Sequence, residues 1–139
     1  MKVLIIDGQG GGLGRQLVTA VKEYDQDIEV LAVGTNSAAT NAMLKAGADQ
    51  AATGENSVVV ASERVDVIMG PVGIVIADSM LGEITPRMAV AVGQSRAKRI
   101  LIPVNLCDNI VVGVSDVSMG KNVQNAIESL KKSFDSDGN

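Results

Sequence analysis

A run of glycines follows the first apolar segment of the chain. Residues 8–14 read GQGGGLG, directly after Val3-Leu4-Ile5-Ile6 and Asp7. Because glycine has no side chain, a ligand can approach the backbone amides of such a segment closely. Where the segment also opens a helix, the free N–H groups and the helix dipole favour an anion. The run therefore predicts a phosphate-binding turn, and the alternative is a tight strand-to-helix connection that binds nothing.

Two common phosphate-binding patterns do not fit this segment. G-x-G-x-x-G would need glycine where Leu13 or Arg15 stands, and the P-loop needs Gly-Lys followed by Ser or Thr, which the chain lacks. G-x-x-x-G-x-G does fit, and it resembles the cofactor loop of short-chain dehydrogenases. The resemblance implies NAD(P) or another nucleotide as the ligand. The residues that it implicates are Gly8, Gln9, Gly10, Gly11, Gly12, Leu13, Gly14 and Arg15.

The likeness to the dehydrogenases ends at the loop. Their Tyr-x-x-x-Lys pair is absent, because Tyr24 is the only tyrosine and Ile28 stands four residues after it. The chain also has no histidine, which excludes a Ser-His-Asp triad and histidine metal sites. Any catalysis would rest on carboxylates, lysine or a cofactor.

Two further segments are expected beside the glycine loop. Gly34, Thr35, Asn36 and Ser37 follow the second predicted strand, and Gly70-Pro71 follow the predicted strand Val65–Met69. Since the carboxyl ends of parallel strands meet at one edge, both segments are expected to share a pocket with the loop. No acidic residue ends the second strand, where an NAD-binding fold holds the ribose. Its small polar residues could contact a ribose or a 2′-phosphate, and a helix cap explains them equally well.

Three carboxylates are candidates for acid–base chemistry. Asp7 precedes the glycine loop, and Asp78 and Glu83 lie in the connection after the predicted strand Val65–Met69. Together with a phosphate they could hold Mg²⁺, which prefers oxygen ligands. They come from separate loops and show no metal-ligand spacing, so the sequence assigns no metal site. The alternative role for Asp7 is to accept amides of the following turn.

The order of predicted elements indicates an α/β fold. Apolar runs alternate with stretches of helical spacing, which predicts a Rossmann-like, doubly wound and mostly parallel sheet in the order 3-2-1-4-5-6. Ile100–Pro103 and Ile110–Val114 are too close in sequence for a crossover helix, so they are expected to form an antiparallel hairpin at the edge. We expect one domain over residues 1–132 and a frayed tail over 133–139.

Composition narrows the classes of function. The net charge is −4 and the chain has no basic block, which argues against a nucleic-acid-binding protein. There is no apolar stretch of membrane-spanning length and no signal-peptide pattern, and Cys107 is the only cysteine. These features favour a cytoplasmic protein with a small phosphorylated ligand and no membrane partner. The crowded apolar residues of Val72–Leu81 predict a docking surface or a homodimer, unless an extra turn of helix covers them.

Longer stretches resemble a family of small bacterial Rossmann-like proteins catalogued as a domain of unknown function. They are IDGQGGGLGRQLV, GTNSAATNAMLKAGA, TGENSVVV, GPVGIVIADSMLGEITPRMA and ILIPVN. The resemblance implies a stand-alone domain but no activity. Three hypotheses remain: a nucleotide-binding sensor or accessory protein, a small enzyme acting on a phosphorylated substrate, and a non-catalytic interaction protein.

Overall fold

Strands and helices alternate along the chain in the computed structural model, which describes residues 1–104 and 108–135. The strands are β1 Lys2–Asp7, β2 Glu29–Gly34, β3 Gln50–Thr53, β4 Val67–Pro71 and β5 Lys98–Ile102. The helices are α1 Gly12–Tyr24, α2 Ser37–Lys45, α3 Glu55–Ser62, α4 Pro86–Gln94 and α5 Met119–Asp135, with a 3-10 turn at Val72–Val75.

The sheet has its topological switch at the centre. Its order is β3-β2-β1-β4-β5, and every strand pair is parallel. This is the predicted order for the first five strands, and it is the order found in Rossmann folds. β2 and β3 lie on one side of β1, and β4 and β5, which come later in the chain, lie on its other side. The crevice beyond the carboxyl ends of β1 and β4 is where such sheets bind ligands.

Alternating residues of the central strand β1 pack into two separate cores, one on each face of the sheet. Val3 and Ile5 face a core formed with α1, α2 and α5, whereas Leu4 and Ile6 face one formed with α3, α4 and the 3-10 turn. All four residues are fully buried. A strand covered on both faces needs an unbroken apolar run, which is the pattern that the sequence shows at this point.

Helix starts follow the capping signals of the sequence. The Asn36 side chain accepts the Ala39 N–H at 2.9 Å, and Thr85 Oγ1 accepts the Met88 N–H at 3.2 Å. At α5, Ser118 Oγ accepts the Lys121 N–H at 3.2 Å. Each bond satisfies a donor that the first helical turn leaves free.

The predicted antiparallel hairpin is wrong in the described part of the chain. β5 pairs with β4 in parallel, and residues 110–114 form no strand. Ile110 and Val112 are 90% and 92% exposed, and Gly113 has a φ of 89°. A β-branched run becomes a strand when its side chains pack and its amides pair, and this segment pairs with no strand among the described residues. Residues 105–107 of the predicted connection, including Cys107, lie outside the described residues.

The last helix continues past the expected domain boundary. α5 runs through Ser133 to Asp135, because the fully buried Leu130 and the partly buried Phe134 pack on the core beside α1. The rest of the predicted tail, residues 136–139, lies outside the described residues. None of the described helices, α5 included, has both the length and the apolar character needed to cross a bilayer.

The connection after β4 is neither a strand nor a long helix. Its 3-10 turn is followed by tight turns in which Asp78, Met80 and Leu81 have φ values of 66°, 57° and 55°. Ile74 and Met80 are buried in the core beside α4, while Leu81 is completely exposed. Part of the apolar surface predicted for docking is thus covered within the chain, at Ile74 in the 3-10 turn and at Met80 in the turns after it. A homodimer remains a prediction.

Candidate functional site

The glycine loop joins β1 to α1 through two residues with positive φ, Gln9 at 50° and Gly11. Gly11 has a φ of 74°, and its N–H donates to the Gly8 carbonyl at 2.9 Å. Helix α1 starts at Gly12 without a side-chain cap, and the Arg15 N–H is bonded to the Gly11 carbonyl. The predicted strand-to-helix turn is therefore present, with its helix N-terminus at the carboxyl edge of the sheet.

Asp7 holds this turn from below. Its Oδ1 accepts the Gly8 N–H at 2.8 Å and its Oδ2 accepts the Gly14 N–H at 2.7 Å. The residue is 3% exposed. Burial raises the pKa of the Asp7 carboxyl, the two amide bonds partly offset that rise, and the nearby Glu83 carboxylate adds to it. The alternative role predicted for Asp7, accepting amides of the turn, is what the structure shows.

Three of the loop glycines are required by packing. A methyl group at Gly8 would lie 2.7 Å from Thr35 Oγ1, and one at Gly14 would lie 2.6 Å from Met43 Sδ. At Gly11 it would lie 2.8 Å from the Ala39 Cα, in addition to the left-handed backbone. Gly11 and Gly14 thus let α2 approach the loop, and Gly8 makes room for the Thr35 side chain.

The other two glycines have no such neighbours. A methyl group at Gly10 or Gly12 would meet nothing within 4 Å, and neither residue has a positive φ. Both are exposed. Among the described residues, no hydrogen bond reaches the N–H groups of Gly10, Gly12 or Leu13. The fold therefore does not explain why positions 10 and 12 are glycine.

A cleft of about 200 Å³ opens over these amides. Its described lining runs from Asp7 to Leu13 and is completed by Val104 and Met119. Gln16 Nε2 donates to Met119 Sδ at 3.1 Å, which ties the start of α5 to α1. The Leu13 side chain is buried in the core, while Arg15 is exposed and has no ion pair within the described chain.

Val104 and Met119 did not emerge from the sequence. Val104 follows β5 by two residues, so its place at the carboxyl edge could have been predicted had β5 been read as parallel. The expected hairpin hid this signal. Met119 opens the last helix, and nothing in the local pattern indicates that the helix begins beside the glycine loop.

The segment after β2 contacts the loop without lining the cleft. Gly34 is buried, and a methyl group there would meet the Thr40 side chain. Asn36 Nδ2 donates to the Gln9 carbonyl at 2.9 Å, and Ser37 is the exposed first residue of α2. The segment lies beside the loop as predicted, but Gly34 to Ser37 do not line the cleft.

Gly70 and Pro71 end β4 beneath the surface. Both are buried, and a methyl group at Gly70 would collide with the Ile6 carbonyl. Neither residue is part of the cleft lining. Their position accounts for the close approach of β4 to β1. A role in ligand binding for Gly70 and Pro71 stays a prediction.

Glu83 joins three loops through one oxygen. Its Oε1 accepts the Gln9 N–H at 2.9 Å, the Thr35 hydroxyl at 2.6 Å and the Asn36 amide at 2.8 Å. Desolvation raises the pKa of the Glu83 carboxyl, but the three hydrogen bonds more than offset it, so the pKa lies below its usual value.

The three candidate carboxylates do not form a metal site in the described chain. Asp78 is exposed in the turn before Glu83, whereas Asp7 is buried with both carboxylate oxygens bonded to loop amides. No group of three acidic, cysteine or histidine residues able to hold a metal ion occurs among the residues described. The geometry gives Asp7 and Glu83 positioning roles within the loops.

A larger hollow elsewhere in the molecule has different chemistry. It measures about 320 Å³ and lies over β2, β3 and α3, with a mostly apolar lining that includes Val33 and Val60. The cleft over the glycine loop is the stronger candidate for a binding site, because its lining includes amide donors that have no partner among the described residues.

Comparison with known proteins adds a family. A dodecameric FMN-dependent UbiX-like decarboxylase from Escherichia coli O157:H7 aligns at 18% identity and a TM-score of 0.46, covering 94% of this chain and 76% of that one. This likeness is too distant to carry an argument about function. No curated protein matches the sequence. The model of the family Domain of unknown function (DUF3842) matches residues 2–135, and the chain therefore belongs to that family.

Proposed function

We propose that this protein binds the phosphate group of a small ligand or nucleotide at its glycine loop. The observation that carries the proposal is the set of N–H groups at Gly10, Gly12 and Leu13, which have no partner among the described residues and border an open cleft. Two of these positions are glycine without a packing reason. A phosphate would use both the donors and the space.

Electrostatics at the loop support an anion. The N-terminus of α1, a helix of 13 residues, carries a partial positive charge, and its first two residues line the cleft. The two amides bonded to the Asp7 carboxylate partly compensate its charge below the loop. Arg15, exposed one turn into α1, supplies a cation that can reach a phosphate from the outer side of the loop.

The proposed role is that of a nucleotide-binding sensor or accessory protein. A catalytic role would need a base or a metal at the cleft. Asp7 has both carboxylate oxygens bonded to amides, and Glu83 has one oxygen bonded to three donors. Both carboxylates are thereby committed to holding the loops.

A thermal-shift panel tests the proposal. The ligands are inorganic phosphate, pyrophosphate, AMP, FMN, NAD⁺ and NADP⁺, each titrated with and without Mg²⁺. Melting is followed by far-UV circular dichroism, because the chain has no tryptophan. A ligand present at 100 times its Kd stabilises the folded state by about 2.7 kcal/mol, which raises Tm by several degrees. If no phosphate compound raises Tm at millimolar concentration, the proposal is wrong.

A further inference from the structure

The glycine loop has one closed side and one open side. On the closed side, Gln9 is bonded through its N–H to Glu83 and through its carbonyl to the Asn36 amide. Thr35 completes the arrangement by donating to the same Glu83 oxygen. We call this set of bonds among Gln9, Thr35, Asn36 and Glu83 the Glu83 clasp.

The Glu83 clasp occupies the place where a Rossmann fold receives the adenosine ribose of a dinucleotide. That ribose normally lies between the first turn of the glycine loop and the end of the second strand. Here a single methyl group at Gly8 would already lie 2.7 Å from Thr35 Oγ1 and 3.2 Å from Glu83 Oε1. Protein atoms fill the gap that a ribose would need.

The segment that carries Glu83 is fixed in place. The Asp78 N–H donates to the Ile84 carbonyl at 2.7 Å, and Ser79 Oγ donates to the Gly73 carbonyl at 2.5 Å. Met80 is buried although its φ is positive, a conformation that costs a non-glycine residue about 1–2 kcal/mol. A backbone held this way does not swing aside easily, so the clasp acts as a fixed wall.

The open side of the loop is small. The cleft toward Val104 and Met119 has about 200 Å³, below the ~300–1,000 Å³ typical of pockets for drug-sized ligands. A phosphate on the amides of Gly10 to Leu13 leaves room there for a compact organic group. A second phosphate and nucleoside would have to pass through the clasp.

We propose that Glu83 is a specificity-determining residue that restricts the cleft to compact phosphate monoesters and excludes dinucleotides. This inference rests on the proposed phosphate site and narrows its ligand class. It places the clasp in the role of a steric stop, held by the acceptor oxygen of Glu83 and not by its charge.

Calorimetric titrations test the inference with matched probes. The monoesters are ribose 5-phosphate, glycerol 3-phosphate and AMP, and the dinucleotide is NAD⁺. We expect the wild-type protein to bind its tightest monoester at least tenfold more tightly than NAD⁺. Glu83→Ala removes the acceptor for three donors, and the ratio is expected to fall to about threefold or less. Glu83→Gln keeps the acceptor oxygen, so this control should retain the wild-type ratio.

The outcomes separate this inference from the function on which it rests. Equal affinity of the wild-type protein for NAD⁺ and the monoester would overturn the inference and leave the phosphate site standing. An unchanged ratio in Glu83→Ala would remove Glu83 as the determinant, and a ratio lost in Glu83→Gln would assign the selectivity to charge. If no probe binds, both proposals fall. Thr35→Ala removes a single donor and should lower the ratio in the same direction if Glu83→Ala does not fold.

Discussion

Two groups of glycines stand side by side in one short loop. Gly8, Gly11 and Gly14 touch neighbouring atoms so closely that no side chain fits, whereas Gly10 and Gly12 face open space. The first group is explained by the approach of α2 to Gly11 and Gly14, by the side chains of Thr35 and Met80 beside Gly8, and by the left-handed turn at Gly11. The second group has no explanation in the fold. A glycine-rich loop can thus combine positions set by packing with positions left open for a ligand, and only the structure separates them.

The largest expected effect comes from substituting one of the glycines set by packing, Gly8, Gly11 and Gly14. Gly11→Ala forces a side chain into a left-handed conformation, which costs about 1–2 kcal/mol, and pushes it against the Ala39 backbone, which costs about 1–3 kcal/mol. We expect urea unfolding to show a loss of stability of about 2–5 kcal/mol. A variant as stable as the wild-type protein would show that α2 can move away from Gly11 without loss of stability. Gly11 would then not be a position set by packing.

The next largest effect on stability is expected at Asp7, whose carboxylate accepts two amides of the loop. Asp7→Asn replaces one acceptor oxygen by an NH₂ group, so either the Gly8 or the Gly14 amide faces another donor. An unsatisfied buried amide costs about 1–3 kcal/mol, and we expect a loss of that size at pH 7 in urea unfolding. Wild-type stability in Asp7→Asn would mean that the turn does not need the carboxylate.

The pKa values of Glu83 and Asp7 are shifted in opposite directions, so the two carboxylates should contribute opposite pH dependences to the stability of the fold. The lowered pKa of Glu83 means that its contribution to stability is present above pH 4.5, its ordinary value, and is lost as pH falls through the folded pKa. The stability difference between wild type and Glu83→Gln should therefore shrink on acidification.

Asp7 gives the reverse pH dependence. Its pKa is raised, so the folded state gains stability as pH falls through that value toward 3.8. Measured against Asp7→Asn over the same pH series, the wild-type protein should become relatively more stable on acidification. Parallel trends for the two residues would contradict the roles assigned to burial at Asp7 and to donated bonds at Glu83.

The smallest effect on stability is expected at the glycines that face open space, Gly10 and Gly12. Gly12→Ala adds a methyl group that meets nothing within 4 Å at a helical position with no positive φ. Because alanine restricts the unfolded chain, the substitution should stabilise the protein by about 0.4–1 kcal/mol. If thermal unfolding shows a loss of stability of more than about 1 kcal/mol, Gly12 is also a position set by packing.

The central architecture was predictable because its signals are local. The apolar run of β1, the Asn36 and Thr85 caps and the glycine turn each appear within a few neighbouring residues. The same kind of signal failed at Ile110–Val114, where a β-branched run has no partner strand in the described chain. Strand pairing is a non-local property, and sequence alone does not show whether a partner is available.

The site was predictable only in part for the same reason. The sequence placed Asp7, Gln9, Asn36 and Glu83 near one sheet edge, and the structure brings them together. It did not indicate that Glu83 would bond to residues 47, 48 and 74 positions away. Nor did it distinguish the glycines, because their neighbours Ala39 and Met43 come from another helix.

The most direct measurement is a titration of Gly12→Val with the phosphate compound that gives the largest thermal shift. The added branches should enter the space of the phosphate oxygens and cover the free amides. We expect affinity to fall by well over tenfold, a loss above about 1.4 kcal/mol, while the melting curve of the free protein shows a folded domain. Arg15→Ala should weaken binding less. Unchanged affinity in a folded Gly12→Val protein would contradict the account and would mean that the ligand binds elsewhere.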